Sequence, residues 1–119
     1  MPLQITGEDG PIIRLALSGA LDLAGVREVE LPFLAHTATR GRPALVDLSG
    51  VTFMASLGMR MLLDASRSLQ RKGAALALLN PSALVEDALR AAGITDLVPV
   101  FHDAARARAA LLSNPEETP

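Results

Sequence analysis

The segment from Ala44 to Leu63 constrains the fold of this chain more than any other stretch. Residues 44–48 form a short apolar run, which is typical of a buried strand. A turn is predicted over residues 47–52, after which a helix is predicted from Ser56 to just before Gly73. The helix is indicated by apolar positions at helical spacing with one polar interruption, namely Met59, Leu62, Leu63, Ser66 and Leu69. The segment therefore predicts a strand, a turn, a serine and a helix in that order.

Ser56 stands where the first backbone N–H groups of the predicted helix lack partners. One interpretation is that its hydroxyl simply caps the helix, which contributes about 1 kcal/mol. The other is that it accepts a phosphate, since the free N–H groups and the helix dipole favour an anion at this end. A phosphate would place about −1.5 to −2 charges in an apolar neighbourhood and would oppose docking of an apolar partner. That neighbourhood comprises Phe53, Met54, Ala55, Leu57 and Met59.

The run from Val46 to Gly58 resembles the signature of STAS domains, the anti-sigma factor antagonist family. That signature is an apolar strand, Asp-Leu-Ser/Thr-x-Val-x-Phe-Ile/Met, and then Asp-Ser-Ser/Thr-Gly-Leu-Gly opening a helix. Two further family features match: an early Gly-Glu-Leu-Asp, which here reads Gly-Ala-Leu-Asp at residues 19–22, and a small-residue helix followed by an apolar strand at residues 84–100. The resemblance covers about residues 3–112 in the family's order.

The resemblance implies that Ser56 is the phosphorylated serine. It also implies a role for Asp22 as a polar neighbour of Ser56, while local sequence alone equally favours Asp22 as the N-cap of the next helix. The chain departs from the pattern at three places: Ala55 replaces the family's Asp, Leu57 replaces its second Ser/Thr, and Met59-Arg60 replaces its Leu-Gly. The predicted neighbourhood of the phosphorylation site is Asp22, Ala55, Leu57, Gly58 and Arg60, with Arg60 placed to pair with a phosphate.

The rest of the chain predicts one α/β domain over residues 1–112, followed by a disordered tail at residues 113–119. A hairpin at the start and strands alternating with helices later predict a mixed sheet of four to five strands, with four helices mainly on one face. Pro32 predicts a kinked helix or two helical pieces. The strands are predicted at residues 3–6, 12–17, 44–48, 74–79 and 97–101, and the helices start near residues 22, 56, 82 and 104.

Composition excludes several function classes. A net charge of −2 argues against nucleic acid as a main partner and against an anionic membrane. The absence of cysteine excludes disulfides and thiolate sites, and two histidines far apart predict no metal site and no cofactor. No apolar run is long enough to span a membrane, so a soluble cytoplasmic protein is expected. No catalytic motif or carboxylate pair at fixed distance is present, which predicts that the protein is not an enzyme.

The resemblance implies an anti-sigma factor antagonist that binds an anti-sigma factor with serine kinase activity and is released when Ser56 is phosphorylated. The apolar contact is predicted to comprise Met54, Leu57, Gly58 and Met59, and the protein to be a monomer or weak homodimer. A rival is a STAS subunit that is never phosphorylated and belongs permanently to a larger complex, such as a lipid-transport accessory or a stress-signalling scaffold. Nucleotide binding is a third option. The outer face of the Ser56 helix, with Arg60, Asp64, Arg67 and Arg71, is either simply solvated or meets an acidic partner.

Overall fold

The computed structural model describes residues 2–113 and shows a five-stranded mixed sheet. The strands follow one another across the sheet in chain order, the first pair antiparallel and the others parallel. This confirms the predicted α/β fold. The strands are β1 (Leu3–Asp9), β2 (Ile12–Leu21), β3 (Ala44–Met54), β4 (Leu76–Leu79) and β5 (Val100–Phe101). The helices are α1 (Leu23–His36), α2 (Ser56–Arg71), α3 (Ala83–Ala91) and α4 (Ala104–Leu112), with a 3-10 turn at Ile94–Asp96.

Three of these helices cover one face of the sheet and α4 covers the other. The larger core contains the buried side chains of α1, α2 and α3 together with one face of β2 and β3. On the opposite face, Ala107 and Leu111 of α4 pack against Ile12, Leu45 and Leu79. The prediction of helices mainly on one face is therefore confirmed. Within residues 2–113, no helix is long and apolar enough to cross a membrane.

The central strand is longer than predicted, and the turn expected over residues 47–52 is wrong. β3 continues to Met54 because it pairs in parallel with β2, which itself continues to Leu21. Two register shifts interrupt this pairing, so the turn-forming residues are absorbed as irregularities within the strand. The side chain of Asp47 accepts a hydrogen bond from the backbone N–H of Ser49 at 2.8 Å, which is the local turn chemistry that the sequence indicated.

Other differences from the predicted elements have local causes. α1 runs as one element through Pro32, because buried Val29 and Phe33 hold both sides of the proline against the sheet. The last strand is shorter than predicted, since the 3-10 turn precedes it. Leu84 is 66% exposed because its neighbour Val85 takes the core position. Of the predicted disordered tail, residues 114–119 lie outside the described residues.

One ion pair ties the first hairpin to the loop before β3, at the end of the sheet away from Ser56. Arg42 donates a hydrogen bond to the carboxylate of Glu8. That hydrogen bond, followed by the charge of Arg42, lowers the pKa of Glu8 below its ordinary value of 4.5. A lowered pKa means that the contact contributes to folding when the carboxylate is ionised and is lost as the pH falls through the folded-state pKa.

Candidate functional site

The carboxyl ends of β2 and β3 bring the two predicted polar residues to the same end of the sheet. Leu21 and Met54 are paired across these strands, and the backbone N–H of Ala55 donates to the carbonyl of Leu21 at 3.0 Å. Asp22 follows Leu21 and Ser56 follows Ala55, so α1 and α2 both begin at this edge. Adjacent parallel strands thus place Asp22 and Ser56 at the same edge of the sheet.

Ser56 is the first residue of α2, whereas the prediction placed it at the N-cap. Ala55 is the N-cap, because its backbone is extended (φ −88°, ψ 170°) and its carbonyl accepts the N–H of Met59 at 3.1 Å. An alanine has no side-chain oxygen, and α2 accordingly begins without a side-chain cap. The side chain of Ser56 is exposed and makes no hydrogen bond with any other described residue. Its hydroxyl is therefore not engaged in capping and is accessible from solvent.

Asp22 is the N-cap of α1, which was one of its two predicted roles. Its Oδ1 accepts the backbone N–H of Gly25 at 3.0 Å, and the residue is exposed. A hydrogen bond between Asp22 and Ser56 is absent from the part of the chain that the structure describes. Asp22 is thus held in a fixed conformation near Ser56 by its capping bond.

Gly58 seats the start of α2 directly on the ends of β2 and β3. A Cβ atom at this position would lie 2.8 Å from Sδ of Met54 and 2.9 Å from Cβ of Leu21. Only a residue without a side chain permits this approach. Gly58 is buried, so its role is to position Ser56 at the surface.

The predicted apolar contact surface needs correction in two of its four residues. Met54 is only 4% exposed and Gly58 is buried, because both lie in the core between α2 and the strands. Leu57 is 41% exposed and Met59 is half-buried, so these two remain available for a contact. A partner that docked at this edge would contact Leu57 and the accessible part of Met59.

Two exposed apolar residues near this edge were missed by the predicted contact set. Phe53 is 51% exposed whereas its neighbour Met54 is 4% exposed, and the regular alternation of the strand is lost here because the pairing of β3 with β2 shifts register between Val51 and Phe53. Leu23, at the start of α1, is equally exposed. Period-two alternation could not have found Phe53, because Thr52 and Phe53 are both exposed, and the exposure of Leu23 depends on how α1 is placed. We call Leu23, Phe53 and Leu57 the apolar edge.

Giving α2 a side-chain cap is expected to stabilise the protein. Replacing Ala55 by aspartate, the residue that the family pattern has here, should raise the free energy of unfolding by about 1 kcal/mol, since a carboxylate can accept the unpaired N–H groups of the first turn. Urea unfolding measures the change. Ala55→Asn is the neutral control that separates capping from the effect of charge on the helix dipole. If neither variant is more stable than the parent chain, the uncapped start of α2 has no energetic consequence.

Comparisons with known proteins agree on the fold. The family model described as "Mlab, STAS domain" matches residues 5–99, a range that includes Asp22 and Ser56. No curated protein sequence matches the chain. Among solved structures, an anti-sigma factor antagonist from Mycobacterium paratuberculosis is 17% identical with a TM-score of 0.80, covering 93% of this chain and 95% of that one.

Two other structural neighbours show the fold in two different kinds of protein. The Bacillus cell fate determinant SpoIIAA in its phosphorylated form is 18% identical with a TM-score of 0.66, covering 91% of this chain and 98% of that chain. The murine anion transporter Slc26a9 is 22% identical with a TM-score of 0.68, covering 83% of this chain but only 18% of the transporter. The fold thus occurs both as a whole small protein and as a minor part of a large one.

Proposed function

This chain belongs to the STAS-domain family, and on that premise we propose that it is a non-catalytic, cytoplasmic anti-sigma factor antagonist. It binds an anti-sigma factor that is also a serine kinase, and phosphorylation of Ser56 by that kinase ends the binding. The observation that carries the proposal is the exposed hydroxyl of Ser56, which starts α2 next to exposed Leu57. A hydroxyl in this position can reach the active site of another protein without local unfolding.

The apolar edge explains how one phosphate would end binding. Leu23, Phe53 and Leu57 are each at least two-fifths exposed, so a partner gains by removing them from water. A phosphate on Ser56 would bring about −1.5 to −2 charges to the same contact. Burying that charge in an apolar contact costs free energy even where Arg60 pairs with it, because both charged groups must lose water. Phosphorylation therefore favours release.

Two of the structural neighbours support this type of function. One is described as an anti-sigma factor antagonist, and another is a determinant of cell fate whose structure is of its phosphorylated form. Both are small proteins that this chain covers almost completely. The position of Ser56 in the matched segment is consistent with the same type of regulation.

A constitutive subunit remains the second candidate. Ala55 and Leu57 replace the polar residues that flank the serine in the family pattern, which suits a contact that is never phosphorylated. The match to a small part of an anion transporter illustrates a STAS fold built into a larger protein. In this case the apolar edge would be covered permanently.

The two candidates make different predictions for substitutions at Ser56. Ser56→Asp should weaken binding to the anti-sigma factor more than about tenfold, or roughly 1.4 kcal/mol, while Ser56→Ala should keep it. Dissociation constants from calorimetry with the purified partner measure the difference. Ser113→Asp, an exposed serine after α4, is the control for added charge elsewhere. Equal affinities of Ser56→Asp and Ser56→Ala would rule out the switch.

The decisive experiment is the intact mass of the protein purified from its native host during growth and under stress. A species heavier by one phosphate that disappears in Ser56→Ala supports the switch. One unmodified mass under all conditions supports the constitutive subunit. Neighbouring genes help to choose the partner for the binding measurement, because a histidine-kinase-like ATPase favours the switch and transporter genes favour the subunit.

A further inference from the structure

The outer face of α2 carries a row of arginines directly opposite its buried face. We call Arg60, Arg67 and Arg71 the arginine stripe, and Asp64 is the one acidic residue within it. At 100° per residue, the four side chains lie within about 60° of one another around the helix and extend about 16 Å along it. All four are exposed. The residues that face the core lie on the other side of the helix: Gly58, Met61, Leu62, Ala65, Ser66 and Leu69.

Among residues 2–113 the arginines of the stripe form no ion pair, as is also true of Arg14, Arg27 and Arg40, whereas four arginines on other elements do. Neither Arg60 nor Arg67 forms an ion pair or hydrogen bond with another residue among 2–113, and Arg71 bonds only to the hydroxyl of Ser68, at 3.0 Å. Asp64 lies one turn from Arg60 but is not within ion-pair distance of it. The arginines that do form ion pairs lie on other elements, and they are Arg42, Arg90, Arg106 and Arg108. The guanidinium groups of the stripe are thus available to a partner.

We propose that the arginine stripe is a docking surface for an acidic helix or acidic segment of a protein partner. Three arginines against one aspartate give this face a positive charge, while the whole chain carries −2. The planar guanidinium of arginine binds carboxylates through two parallel hydrogen bonds, which gives orientation as well as attraction. Helical spacing over three turns matches carboxylates that repeat along a facing helix. Proteins that bind anionic membranes use clusters of four to eight basic residues. The stripe has only three, and Asp64 lies among them, so an anionic membrane fits this surface less well.

Ser56 belongs to the same row, one turn before Arg60. The two residues are four apart, so their side chains are neighbours on the helix surface. A phosphate on Ser56 would pair with Arg60 and bring negative charge to the end of the stripe, which repels an acidic partner. This step rests on the proposed function, and it adds electrostatic repulsion to the desolvation that the apolar edge imposes. The docking surface itself does not depend on phosphorylation.

A titration with a defined acidic probe tests the docking surface without the natural partner. The probe is a synthetic helical peptide with glutamates repeated every turn on one face, and its twin has glutamine at those positions. Amide shifts of the isotopically labelled full chain should change along α2, and affinity should fall as salt is raised to about 0.15 M. Arg67→Glu should weaken binding at least about fivefold, whereas Arg106→Glu on α4 should change it less than twofold.

Several results would overturn the proposal. These are shifts centred on α4, equal losses in the two arginine variants, equal binding of the glutamine twin, or no binding at low salt. Stronger binding to phosphatidylglycerol vesicles than to the peptide, lost in Arg67→Glu, would assign the stripe to a membrane and also overturn it. Because neither Ser56 nor a kinase enters this titration, its failure is distinguishable from failure of the phosphorylation switch.

Discussion

Replacing Phe33 by alanine is expected to lower the free energy of unfolding by about 3–5 kcal/mol. Phe33 is fully buried in the larger core, where α1 packs against the sheet. Only three phenylalanines and no other aromatic residues are present, so no nearby large side chain of that kind can fill the space. The loss combines the transfer of the ring to water with the cavity that remains. Since a domain of this size has about 5–15 kcal/mol of stability, the variant should be near the limit of folding.

Thermal unfolding measures this effect directly. The midpoint should fall by about 12–20 °C, at about 4 °C per kcal/mol. Leu31→Ala is the matched control, because Leu31 lies two residues earlier on the same helix but is 80% exposed. Its midpoint should change little. If Phe33→Ala and Leu31→Ala have similar midpoints, the burial of α1 against the sheet is incorrect.

Gly25→Ala is expected to destabilise the protein by about 3 kcal/mol, although alanine is the better helix former by about 1 kcal/mol. Gly25 lies in the first turn of α1, and its N–H is held by Asp22. A Cβ atom at this position would lie 1.9 Å from the carbonyl oxygen of Ala20. That neighbour is backbone in β2, so relief requires the helix or the strand to move. The steric effect therefore outweighs the propensity.

Gly58→Ala provides a graded comparison for the same measurement. The nearest atoms at that site lie at 2.8–3.0 Å rather than 1.9 Å, and they are the sulfur of the flexible Met54 followed by Cβ and the carbonyl oxygen of Leu21. The loss of stability should therefore be smaller, about 1 kcal/mol. Urea unfolding of both variants shows which of them loses more stability. A Gly25→Ala protein at least as stable as the parent would contradict the close approach of α1 to β2.

The family and the fold were predictable because their signals are local. Apolar runs, helix caps and the residue pattern around Ser56 need only a few neighbouring residues, and the structure confirms the mixed sheet and its four helices. Ser82 and Asp103 cap α3 and α4, close to the helix starts predicted near residues 82 and 104. The resemblance implied that Asp22 is a polar neighbour of Ser56. Parallel pairing of β2 with β3 places both residues at one edge, and an interaction between them stays a prediction.

The details of the site were less predictable because they depend on contacts between distant segments. The connection between β3 and α2 is very short. The sequence pattern does not show whether Ala55 or Ser56 is the N-cap of α2, and the prediction was wrong by this one position. The predicted contact set included Met54 and Gly58 because both are apolar or small and lie two positions from Ser56. Sequence proximity does not show which of two adjacent residues points into the core.

By itself the sequence determined the family pattern, the order of strands and helices, the serine at the start of α2 and the charged residues on its outer face. Tertiary structure alone decided that β3 continues through residues 49–54, because hydrogen bonding to β2 outweighs the local tendency of Ser49-Gly50 to turn. It also decided that Met54 is buried while Phe53 is exposed, since the pairing register sets which face each side chain takes. Helical periodicity could align the arginines, but only the packed structure shows that Arg60 and Arg67 lack partners within residues 2–113, because ion pairs form between segments far apart in the chain.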